Sequence, residues 1–202
     1  MLTRLAALAI ALTSTATAGG FAHPTHPTEP DPIAVRAAPS RKAVRDALAK
    51  RREHNRAAFH AYVTRGVYPH NTYRTGPLNV WRDADGHLCA AATMISKDGH
   101  DDLAQATAKA NNNIRLLDVV DGPLLDWMLT SGFTIEEIDQ IQEPGFEPQI
   151  VNPKTLAAED AKLKQGYTAT EAFLKQHVKA DLDTATDRLL ANPALAWQLV
   201  EG

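Results

Sequence analysis

Cys89 is the only cysteine in 202 residues, and its neighbourhood holds the groups a nucleophilic site requires. If a helix opens at Cys89, just after Gly86-His87-Leu88, its dipole lowers the thiol pKa and favours the thiolate. A base must then come from His70, His87 or His100. His87 stands two residues before Cys89, a poor geometry for proton transfer, so His70 is the better base, oriented by Asn71 or Asp83. That set, Cys89 with His70 and Asn71, describes a cysteine-dependent hydrolase. Against it, papain-like enzymes place the histidine well after the cysteine, where only His100 and His177 remain. Beside Ala90-Ala91-Ala92, Cys89 also reads as a small buried hydrophobe.

A second group of polar residues sits where apolar ones belong. Val44, Ala47, Leu48, Ala58, Phe59 and Tyr62 form a stripe at helical spacing, and Arg51 and Asn55 point where Val44 and Tyr62 point. A charge in a core stripe is costly unless paired, so Arg51 should meet a carboxylate or line a cleft. Arg41, Arg45, Arg52 and Arg56 fall to one side, as a solvated face. The expected binding residues are Arg51, Asn55, Asp83 and His87. No cofactor is expected, and no metal: Asp83 and Asp85 lack the other ligands of a calcium loop, and His70, His87, Cys89 and His100 lack ligand spacing on one helix.

These residues need elements to hold them. Ser40 caps a helix from Arg41 to about Arg65, and Gly66 stops it. Residues 67–77 are a loop. Residues 78–82 read as a short strand, and Asp83-Ala84-Asp85-Gly86 as a tight turn. A helix follows near Cys89, since the alanines favour it. Another runs from Asp101 or Asp102 to the Asn111-Asn112-Asn113 run. Residues 114–120 are a second strand candidate. Pro123 opens a helix that Gly132 ends, and Thr134 with Glu137 forms a capping box for a helix through Ile141. Beyond a break at residues 144–148, Gly166 is read as a helix stop. Thr168 with Glu171 is read as the cap of a helix to about Ala191, and Asn192-Pro193 opens the last.

The ends give an address. Residues 1–18 have the form of a secretory signal: Arg4, an apolar run too short to span a bilayer, and Ala16-Thr17-Ala18 as a cleavage site. Residues 19–40 contain five prolines and form a disordered leader; its His23 and His26 read as linker residues. The core domain is expected over 41–144, with 145–202 a helical extension packed on it. The product is periplasmic or secreted, with no membrane insertion. Between Arg41 and Arg56 there are seven basic and two acidic residues. The acidic stretch beyond it makes that segment a packing face. The pair of helices around Gly132 superficially resembles a helix-turn-helix, but Glu136, Glu137 and Asp139 on the second would be repelled by phosphate, so no nucleic-acid partner is expected.

Tyr68-Pro69-x-Asn71, Asp83-x-x-Gly86-x-x-Cys89-Ala90, Asn111-Asn112, and Trp127-x-x-x-Ser131-Gly132-Phe133-Thr134-x-x-Glu137-x-x-x-Ile141-Gln142 together resemble an uncharacterised group of exported bacterial proteins. The resemblance covers about residues 51–144. It implies an exported bacterial protein with a compact unit here, and it carries no catalytic residues.

The expected fold is mainly α with a small β element (α+β), a two- or three-stranded piece at 78–82 and 114–120. The expected function is a non-enzymatic binding or interaction protein of the bacterial cell envelope, whose partner is an unknown protein or small ligand. It would use a cleft between the Arg51 helix and residues 68–89. The cysteine-dependent hydrolase is the alternative.

Overall fold

The computed structural model describes residues 36–76, 78–145 and 154–202; the expected signal segment and most of the leader lie outside them. Ala37–Gly202 forms one unit. Its described residues hold eight α-helices: α1 Arg41–Arg65, α2 Ala90–Lys97, α3 Asp101–Ala110, α4 Gly122–Thr130, α5 Ile135–Gln142, α6 Leu156–Phe173, α7 Val178–Leu190 and α8 Pro193–Glu201. None is long and apolar enough to cross a membrane.

Helix α1 is the central element. Ser40 accepts a hydrogen bond from the Ala43 N–H at its start, and Gly66 takes φ +67° at its end, donating to the Tyr62 carbonyl. Its buried residues are Val44, Leu48, Arg52, Asn55, Phe59, Tyr62 and Val63. At 100° per residue, Arg52 lies about 20° from Phe59, while Arg51 lies about 80° from it. The fully buried arginine is Arg52, which the sequence assigned to a solvated face; Arg51, although aligned with buried Val44 and Tyr62, is only partly buried. The lower half of α1 packs with α7 and α8 through Val44, Leu48, Leu182, Leu189 and Ala196. The upper half joins the larger core of Phe59, Trp81, Met94, Met128, Ile141 and Tyr167. Helix α6 contributes Leu163 and Tyr167 to that core and forms a wall of it, while α7 and α8 wall the smaller one.

The β element is not present. Among the described residues there is no strand; the extended segments make only isolated bridges, Arg82 with Leu88 among them. Residues 116–118 of the second candidate form a 3-10 turn. Side-chain amides explain why extended chain appears without a sheet. Asn112 and Arg82 exchange two bonds, Arg82 N–H to Asn112 Oδ1 at 3.0 Å and Asn112 Nδ2 to the Arg82 carbonyl at 2.8 Å. Asn113 donates to the Asn79 carbonyl and Asn79 to the Ile114 carbonyl. Gln142 accepts from the Leu116 N–H and donates to the Ile114 carbonyl, both at 2.8 Å. Buried backbone groups must be paired, and here asparagine and glutamine do what a neighbouring strand would do.

Gly166 is not a stop. It sits inside α6, which runs unbroken to Phe173. A Cβ there would stand 2.3 Å from the Pro144 carbonyl oxygen. The glycine permits a close approach between chain segments and leaves the helix intact. Nor does Thr168 open a new helix; its hydroxyl donates back to the Lys164 carbonyl, and the break comes at residues 174–177.

Candidate functional site

The residues picked out from the sequence separate into two places. Among the described residues, no hydrogen bond or ion pair links Arg51 or Asn55 to His70, Asn71, Asp83, His87 or Cys89.

The first place is the turn after Trp81. The Asp83 carboxylate is buried, its side chain 1% exposed. It accepts from the His87 N–H at 2.8 Å, the His87 ring Nδ1 at 3.0 Å and the His70 N–H at 3.2 Å. Burial pushes the Asp83 carboxyl up, but these donors outweigh it and hold the group below its ordinary value. His70 also bonds Asp160 of α6 through Nε2 at 3.0 Å. Asn71 orients no histidine: its Nδ2 donates to the carbonyls of Arg74 and Gly76, and its Oδ1 accepts from the N–H groups of Tyr73 and Arg74. It shapes its own loop. The fold also draws in Asp85, so that one donor atom each of Asp83, Asp85 and His87 lie within 4.8 Å of one another, a grouping that spacing along one helix does not reveal.

Cys89 lies in the core, 2% exposed. As N-cap of α2 its sulfur accepts from the Ala92 N–H at 3.5 Å. It is packed near Tyr62 and Tyr167, within a group of rings whose centroids are 5.2–5.9 Å apart. Burial pushes the thiol up to about 12 against the smaller pull of the α2 backbone N–H groups. A helix N-terminus activates a cysteine only where water reaches it, and here desolvation wins. A maleimide should therefore react with Cys89 only as fast as the protein opens, with full reaction in denaturant. Rapid labelling of the native protein at pH 7 would show an accessible thiolate and contradict this geometry.

The second place is a groove of about 1000 Å³ between α1, α3, α4 and α8. Ala47, Leu103, Trp127, Leu195 and Leu199 line it, together with Arg51, Lys50, Asp102 and Asp126. Arg51 meets its carboxylate here, in Asp98 at the end of α2. The Asp98 side chain is 1% exposed and also accepts from Trp127 Nε1 at 2.9 Å. Arg51 is 31% exposed, so the pair stands at the edge between core and groove. Its Nε is buried with no hydrogen-bond partner. Asn55 turns away, donating to the Ser131 carbonyl at 2.9 Å.

Sequence reasoning missed Asp98, Trp127 and Asp160 as members of these sites. None carries a local signal, since each acquires its role from a residue 29 or more positions away. Comparison with family models, with curated proteins and with solved structures finds no match for this chain.

Proposed function

We propose that this is an exported binding or interaction protein of the bacterial cell envelope, which holds a small apolar molecule or peptide segment in the groove beside Arg51. The observation that carries the reading is the groove itself. Binding sites are concave, mostly apolar and furnished with a few oriented polar groups. This one sets Leu103, Leu195, Leu199 and the edge of Trp127 among charged residues of α1, α3 and α4, with the Arg51–Asp98–Trp127 set fixed at one side. The signal-like residues 1–18 and the resemblance over residues 51–144 support the address. A cysteine-dependent hydrolase finds less support, because Cys89 is enclosed and Asn71 is occupied by its loop.

A neutral apolar dye, N-phenyl-1-naphthylamine, tests the reading. It should bind the full chain with one-to-one stoichiometry. Ala47→Trp, which fills the groove from α1, should weaken that binding at least tenfold without changing the far-ultraviolet circular dichroism. Equal binding by both proteins would place the apolar site elsewhere and sink the proposal.

A further inference from the structure

We propose that the turn at Asp83–Asp85–His87 is a site for a first-row divalent metal ion such as Zn2+, held by a carboxylate oxygen of Asp83, a carboxylate oxygen of Asp85 and an imidazole nitrogen of His87. It lies apart from the groove and does not depend on it.

Four observations carry this. The first is spacing: the three donor atoms lie within 4.8 Å of one another. Asp83 Oδ2 and His87 Nδ1 are 3.0 Å apart, joined by a hydrogen bond whose proton the ion would displace; two donors about 2.1 Å from one ion stand about 3.0–3.4 Å apart, so only a small shift is needed. The second is preorganisation. Asp83 is fixed by the N–H groups of His70 and His87; Oδ1 keeps a lone pair beyond those bonds, and the second lone pair of Oδ2 is freed when His87 Nδ1 gives up its proton to bind the ion. The third is the further nitrogen of His70, whose Nδ1 stands 3.9 Å from the same Asp83 oxygen while its Nε2 is bonded to Asp160. A carboxylate on the far ring nitrogen is the usual support of a ligating histidine.

The fourth comes from α6. Glu159, next to Asp160, is 7% exposed, and its Oε2 is buried without a hydrogen-bond partner. It lies close enough to His70 to feel its charge. A buried carboxylate oxygen left bare is costly, and Glu159 thus brings a second carboxylate, beside Asp160, into the neighbourhood of His70. The mixture of imidazole and carboxylate favours a first-row transition ion over calcium or magnesium, which prefer oxygen alone.

Titration calorimetry of the full chain with Zn2+ is the test, run on a background carrying His23→Ala and His26→Ala so that the leader histidines contribute nothing. The expected result is one ion per chain, bound at least tenfold more weakly after either Asp85→Asn or His87→Ala. Asp85 is exposed, so Asp85→Asn should keep the wild-type melting curve without metal; His87→Ala also loses the ring bond to buried Asp83, so its affinity is measured below its own melting transition. Co2+ should report nitrogen ligation through visible absorption that changes in His87→Ala. Zn2+ binding that survives both substitutions, or disappears with the leader histidines, overturns the site. Binding of Ca2+ in preference to Zn2+ overturns the imidazole ligand.

Discussion

Arg52→Ala should cost about 3–5 kcal/mol of folding stability, the range for removing one partner of a buried ion pair. The magnitude follows from what the guanidinium does. It is 0% exposed and holds Glu137 through two bonds, Nη1 to Oε2 at 2.8 Å and Nη2 to Oε1 at 2.6 Å. The same two nitrogens donate to the carbonyls of Gly132 at 3.1 Å and Leu174 at 2.8 Å, and the group lies 4.9 Å above the Phe133 ring. One side chain of α1 thus pins the turn between α4 and α5 and the end of α6. Without it, a buried Glu137 carboxylate and two carbonyls lose their donor. Since whole domains are stable by only about 5–15 kcal/mol, the loss is a large share. Urea unfolding measures it, and a loss under about 1 kcal/mol would show that Arg52 merely fills space.

The pH dependence of that variant has a definite sign. Asp181 stands 3.9 Å from Arg52 Nη2; burial and then the Glu137 charge push its carboxyl up, with Arg52 pulling it down. Removing the cation leaves Asp181 facing the Glu137 carboxylate without that counter-charge and pushes the Asp181 carboxyl further up. A carboxyl raised above its unfolded value contributes stability that is complete below that value and lost as pH rises through the folded one. Arg52→Ala should therefore recover part of its deficit on acidification through about pH 4–5. Glu137→Ala should recover less, and should lose about 1 kcal/mol more from its cap, since Glu137 Oε2 also accepts the Thr134 N–H.

Gly132→Ala should be as damaging, at about 3 kcal/mol or more. Gly132 adopts φ +86°, and a Cβ would stand 2.4 Å from the Leu48 carbonyl oxygen, 2.5 Å from the Arg52 nitrogen and 2.8 Å from the Arg52 Cα. All three are α1 backbone atoms, which cannot swing aside as a side chain can. Gly99 supplies the control: its φ is +88°, but nothing lies within 4 Å of the added carbon. Gly99→Ala should lose only the left-handed penalty of about 1–2 kcal/mol. Thermal melts of the two variants separate backbone strain from close approach, and equal losses would show that α1 does not rest on Gly132 as closely as the structure has it.

Much of the helical framework was legible in the chain because its punctuation is local. Ser40 and Gly66 bound α1 as expected, and Thr134 with Glu137 forms the capping box. The alanine run after Cys89 does become a helix. The β element was misread because residues 78–82 and 114–120 have strand composition, and strand composition does not say who supplies the partners. Asn79, Asn112, Asn113 and Gln142 supply them here, and their side chains leave no periodic signal. Gly166 was misread for a related reason: a helical glycine that clears Pro144 looks, in sequence, like one that ends a helix.

The choice between Arg51 and Arg52 illustrates the limit most sharply. Both align with apolar residues of α1, one with Val44 and Tyr62, the other with Leu48 and Phe59. Which is buried depends on where the neighbouring helices lie, and that is a tertiary fact. The same holds for Cys89, whose helix N-terminus was readable but whose burial in the core that holds Tyr62 and Tyr167 was not.

The sequence by itself determined one long capped helix from Arg41 to about Arg65, and placed polar residues in its apolar stripe. It also named Asp83 and His87 as expected binding residues. Only the tertiary structure decided that Arg52 binds the core together, that Arg51 faces a groove with Asp98 and Trp127, and that His70 joins the Asp83 turn to α6. Caps and turns involve residues within four positions of each other, so composition encodes them. Ion pairs and donor clusters join residues 47 to 129 positions apart in the cases that matter here, and only packing brings those together.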